Sequence, residues 1–120
     1  MAQAQQQAYL EFADETYAPH PSHGATPVHW AAFSGDLAAL RELDDPTSLL
    51  LHAADHYGNT PAHLAAYQGQ LPVVQYLNEL APDTLQAKNI YGETPAHYAT
   101  RQGHVDVLRY LNEVAPDTLH

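Results

Sequence analysis

Histidine and carboxylate supply most of the chemistry this sequence could perform: nine His and fourteen Asp or Glu stand among 120 residues, with no Cys. His20-x-x-His23 and His52-x-x-Asp55-His56 have spacings that a zinc ion could use. The first encloses Pro21 and has no helix to align it, and the second ends at a turn tip, so neither is read as a metal site. Glu11, Asp14 and Glu15 could be taken for a carboxylate cluster, but on an N-terminal capping helix they read as a solvated face. Thr47 and Ser48 follow Asp45-Pro46, a turn-opening pair, and nothing supplies them with a base. The chain has no Gly-x-Ser-x-Gly, phosphate loop or His-Glu-x-x-His. The reading is of no catalytic residue, no metal ligand and no cofactor.

His29, His63 and His97 are different, because they recur at a step of 34 residues. A catalytic role would need the same lone His in three places without a fixed nucleophile or acid beside it. The same step carries Thr26-Pro27, Thr60-Pro61 and Thr94-Pro95, then Gly24, Gly58 and Gly92, then Gly35, Gly69 and Gly103. A fixed period of this size marks units that bury their apolar faces only by stacking on one another.

Each unit has a readable local structure. Thr followed by Pro is a strong helix start: the hydroxyl can take an orphan N–H, and Pro at the first helical position has none to lose. PAHLAAYQ then runs about two turns to Gly69, and LPVVQYLNEL carries an apolar stripe of Leu71, Val74, Leu77 and Leu80 with Val73 beside it. LRELDDPTSLL and VDVLRYLNEV repeat that longer helix, and ADHYGN and KNIYGE place Gly where a tight turn needs positive φ. The expected unit is turn, short helix, loop, longer helix.

Gly-x-Thr-Pro-x-His-x-Ala-(Ala/Thr)-x-x-Gly, at 24–35, 58–69 and 92–103, resembles the ankyrin repeat. The resemblance implies an all-α solenoid of stacked helix-turn-helix units with short β-turn or hairpin connections: repeats over 24–57, 58–91 and 92–120. A capping helix and loop over 1–23 precede them, carrying Tyr9, Leu10, Phe12 and Ala13. It also implies that the repeated His bonds the turn Thr and neighbouring backbone, holding adjacent units together. Leu-Ala-Pro-Asp-Thr-Leu departs from the family's usual Gly-Ala-Asp close, so Pro82 and Pro116 are expected to end the longer helix or open a short extra turn. Trp30 shares its slot with Leu64 and Tyr98 and is expected to be packed. Tyr98 and Thr100 should loosen or polarise the last unit. The apolar Val105, Val107, Leu108 and Leu111 call for something that covers the last unit's face: a longer array or another molecule.

Function is expected in recognition. In ankyrin-like stacks the turn tips and the open side of the short helix form a concave binding surface. Carried onto this chain, it comprises Ser22, His23, Ala25, Phe33 and Ser34; His56, Tyr57, Asn59, Tyr67 and Gln68; and Ile90, Tyr91, Glu93, Arg101 and Gln102. Aromatics and Arg are the types enriched at binding hot spots; the alternative for Tyr57 and Tyr91 is packing between neighbouring turns. A formal charge of −10 opposes nucleic acid and favours a partner protein with a basic or apolar surface. No run is long enough to span a membrane, and the N-terminus lacks the features of a signal peptide. The chain is read as a cytoplasmic, monomeric protein-binding module. The alternative is a non-catalytic targeting segment of a larger protein, such as an enzyme or a bacterial effector delivered into a host cytoplasm.

Overall fold

A computed structural model describes residues 19–43 and 49–115. Within them run six α-helices: α1 Pro27–Ser34, α2 Leu37–Leu43, α3 Pro61–Gln68, α4 Leu71–Leu80, α5 Pro95–Gln102 and α6 Val105–Val114. Three short 3-10 helices, Pro21–His23, Leu49–His52 and Pro82–Gln86, complete the regular structure of the described residues, which include no strand. The capping segment 1–18, the link 44–48 and Pro116 lie outside the described residues.

The Thr-Pro-x-His motif explains both how each short helix starts and how the units hold together. Thr26, Thr60 and Thr94 sit at the N-caps of α1, α3 and α5 with extended backbone, and Pro follows at the first helical position. A His at the third helical position closes a reciprocal cap: its Nδ1 accepts the Thr backbone N–H at 3.1 Å in α1, 3.1 Å in α3 and 2.9 Å in α5. Because Nδ1 accepts, the ring proton resides on Nε2. His29 Nε2 donates it to the Asn59 carbonyl and His63 Nε2 to the Glu93 carbonyl, both at 2.9 Å, in the following unit. One side chain therefore caps its own helix and ties on the next.

The short helices α1, α3 and α5 stack in one row, and α4 packs against α6 in the outer row. Ala31, Ala32, Ala62, Ala65, Ala66, Ala96 and Ala99 are buried, and their small side chains let the helices of the inner row approach closely. Val73, Val74 and Leu77 of α4, with Val107 and Leu111 of α6, close the core from the other side. Leu80 departs from the expected stripe and is exposed. Pro82 begins a 3-10 turn that buries Thr84 and Leu85, as the departure at Leu-Ala-Pro-Asp predicts.

The links between short and long helices also join units. Gly69 ends α3 at φ +73°, and a Cβ there would lie 2.6 Å from the His104 ring. That ring donates from Nε2 to the Tyr67 carbonyl at 3.0 Å, as Gln70 Nε2 does to the Phe33 carbonyl at 3.1 Å one unit earlier.

Candidate protein-binding face

The turn tips are built from an acid or amide and a glycine. Asp55 Oδ1 accepts the backbone N–H groups of Tyr57 (2.9 Å) and Asn59 (3.0 Å). Asn89 Oδ1 does the same for Tyr91 (2.8 Å) and Glu93 (3.0 Å). Left-handed backbone at Gly58 and Gly92 completes each turn. Successive turns are joined by single backbone bonds, His56 N–H to the His23 carbonyl and Ile90 N–H to the Tyr57 carbonyl, rather than by a sheet. Asp55, considered above as part of a metal spacing, is thus a turn-former. Among the described residues no three His, Cys, Asp or Glu gather closely enough to hold a metal ion.

A buried polar network fastens the second and third turns to α5. Asn89 Nδ2 and the Tyr98 hydroxyl both donate to Asn59 Oδ1, at 3.0 and 3.1 Å. Burial raises the Tyr98 pKa above its ordinary value, so the phenol stays a donor. Tyr98 therefore polarises the junction, one of the two outcomes expected of it, through its hydrogen bond to Asn59. Burial also raises the pKa of Asp55, whose Oδ2 meets no hydrogen-bond partner among the described residues.

Four residues expected to face a partner are instead interior. Phe33, Tyr57, Asn59 and Tyr67 are buried, the first, second and fourth in an aromatic cluster with Leu64 and Tyr98 that fills the angle between turns and short helices. Tyr67 stacks on Phe33 (6.3 Å between ring centroids) and meets the Tyr98 ring edge-on (6.1 Å). Tyr57 takes the His23 ring edge-on at 5.2 Å, which is the packing-between-turns alternative. Tyr91 and Gln102 are half-buried. Glu93 is half-buried and ion-paired with Arg101, whose guanidinium lies 5.3 Å over the Tyr98 ring. His56, Gln68, Ile90 and Arg101 are exposed, as are Ser22 and Ser34.

Trp30 reverses the expectation made for it. It is 52% exposed, whereas Leu64 and Tyr98 in the same slot are 0% exposed. In later units the preceding unit closes that slot: Tyr98 lies against His63 and Tyr67. Among the described residues, Trp30 stacks on Phe33 of its own helix at 5.7 Å and borders an open hollow of about 270 Å³ lined by Pro19, Pro21, Ala25, Thr26 and Pro27.

A family model for ankyrin repeats in three copies matches residues 45–118. The chain belongs to the ankyrin repeat family. The match begins at Asp45, yet the unit before it makes the same Thr-His cap and the same His-to-carbonyl bond, so the ankyrin stack extends back to Thr26. Among solved structures, the stack is similar to a chain in the complex of a predatory endopeptidase from Bdellovibrio bacteriovorus with an immunity protein. The identity is 33% and the TM-score 0.66, over 76% of this chain and 47% of that one. This chain thus spans about half the length of its match. No curated protein matches it. Among the described residues no helix of the ankyrin stack is long and apolar enough to cross a membrane.

Proposed function

We propose that this ankyrin stack is a recognition module without catalysis of its own, which binds a partner protein on the side formed by the turn tips and short helices. The observation that carries the reading is the exposure of large apolar side chains on the short helices and turn tips, Trp30 of α1 at 52% and Ile90 of the third turn at 57%. His56 at a turn tip and Gln68 and Arg101 on the short helices are exposed as well and supply polar groups. The similar complex pairs an immunity protein with an endopeptidase, so an enzyme restrained by the stack is the partner class to test first. The same side would serve a targeting segment of a larger protein equally well.

The test is site-specific photo-crosslinking in extract from the source cells, with the crosslinker placed at position 30 or 90, or at Gln75 or Arg109 on the outer row. A discrete adduct from positions 30 and 90 alone supports the reading. Adducts only from 75 and 109, or none, would overturn it.

A further inference from the structure

We infer that the junction between the first and second turns holds one buried water molecule, which donates a hydrogen bond to Asp55 Oδ2 and accepts one from Asn59 Nδ2. The site is independent of the recognition reading above. It emerges when the two described junctions are matched at the step of 34 residues. At the later junction Asn89 shapes its own turn through Oδ1, while its Nδ2 reaches back to Asn59 Oδ1 in the preceding turn, an oxygen that also takes the Tyr98 hydroxyl of α5. At the earlier one Asp55 shapes its turn through Oδ1 in the same way. Its Oδ2 therefore stands where Asn89 has Nδ2, directed back at the first turn. There Ala25 replaces Asn59, and Leu64 of α3 replaces Tyr98. Both polar partners of the later network are lost together.

The backbone does not close up to compensate. His56 N–H meets the His23 carbonyl at 2.8 Å and Ile90 N–H meets the Tyr57 carbonyl at 2.9 Å, so the turns are equally spaced at both junctions. The His29 and His63 bonds into the next turn are 2.9 Å alike. Exchanging Asn for Ala at that spacing removes a whole amide group, and one water, whose share of liquid volume is about 30 Å³, fits in the room it leaves.

Two buried side-chain atoms specify the occupant. Asp55 is 6% and Asn59 0% exposed, yet Asp55 Oδ2 and Asn59 Nδ2 meet no hydrogen-bond partner among the described residues. They belong to one turn: Asp55 N–H donates to the Asn59 carbonyl and Asn59 N–H to Asp55 Oδ1, each at 3.0 Å, and the Asn59 side chain helps to hold the Asp55 carboxylate charged. A flip of the Asn59 amide is closed off, because its Oδ1 already takes two donors. One of the two atoms accepts and the other donates. Water satisfies both at once. A monovalent cation would pair with the carboxylate but face the amide N–H, and an anion would meet the reverse conflict.

The experiment is a crystal structure at atomic resolution of the chain and of Ala25→Asn, with the Asp55 carboxyl titrated in both by carbon NMR. In the unaltered chain a water should lie within hydrogen-bond distance, about 2.7–3.2 Å, of both atoms. In Ala25→Asn the new amide should displace it, as Asn59 fills the same place at the later junction, and the Asp55 carboxyl should titrate at lower pH because its donor is then fixed. Matching circular dichroism excludes a misfolded variant. Should Ala25→Asn fail to fold, the unaltered chain decides alone, by its density and by an NMR cross-peak from long-lived water to the Asn59 amide protons. A direct bond from Asn59 Nδ2 to Asp55 Oδ2, a cation on the carboxylate, or a water that stays in place in Ala25→Asn would each overturn the inference.

Discussion

Acidification should loosen the ankyrin stack between about pH 6.5 and pH 4, and His63 should carry a large share of the loss. Its Nδ1 accepts the Thr60 N–H and its Nε2–H is given to the Glu93 carbonyl, so a second ring proton would face an N–H that already points at Nδ1. Burial removes the water that would solvate the cation, and the pKa is lowered from 6.5 to about 4. The unfolded chain regains the ordinary value and so takes up the proton first. Stability is therefore full above about pH 6.5, falls as the pH drops through the window, and levels off below about pH 4 where both states are protonated.

A span of that width corresponds to roughly 3 kcal/mol, of which about 2 kcal/mol is gone by pH 5. His29, lowered chiefly by burial, acts in the same direction. Asp55, raised by burial, acts in the opposite one, because the fold holds its proton longer as the carboxylate range is entered. Urea unfolding followed by circular dichroism from about pH 7.5 to pH 5 reads the profile directly in the wild type and in His63→Gln. The variant should start about 1–3 kcal/mol less stable, since Thr60 N–H loses its acceptor. Its profile should be shallower by nearly one proton, so that the two curves converge toward pH 5. Parallel curves would show that the titration does not occur at His63.

His97 offers a control, being exposed and, among the described residues, without a carbonyl for its Nε2; His97→Ala should cost only the cap, about 0.5–1 kcal/mol in urea unfolding. Tyr67→Ala, expected from sequence to remove partner contact and leave stability nearly unchanged, should instead destabilise by about 3–5 kcal/mol, because it empties the aromatic cluster. Gly69→Ala should cost more than Gly103→Ala by thermal melting: both have positive φ, but only the first drives a Cβ into the His104 ring, whereas Gly103 has open space.

The architecture was legible because its signals are local and repeated. The Thr-Pro phase, the glycine C-caps and the His at the third helical position each act within one unit, and the step of 34 residues repeats them in register. The recognition side was legible only as a region. Phe33, Tyr57 and Tyr67 have the residue types of hot spots, but those types also fill cores, and only the gap between turns and short helices decides which role they take. Trp30 was misjudged for the converse reason: the slot is closed by a preceding unit at Leu64 and Tyr98, whereas among the described residues no unit precedes that of Trp30. The inter-unit bonds of Gln70 and His104 had one readable signal, a polar donor one residue after each helix-ending glycine.

The buried aromatics still bear on recognition, through stiffness rather than contact. Trp30 rests on Phe33, Phe33 on Tyr67, Tyr67 against Tyr98, and Tyr98 lies beneath Arg101, so the side chains available to a partner are backed by a continuous packed row. A ligand that grips Trp30 therefore meets a surface with little rotamer freedom left to lose. The same continuity links binding to folding: a partner that requires the stacked form stabilises it in proportion to occupancy, and a condition that opens the His63 junction withdraws the row on which Trp30 and Arg101 stand. On the proposed reading, recognition and acid stability are in that sense one equilibrium, set by the neutral imidazoles of His29 and His63 at the described junctions.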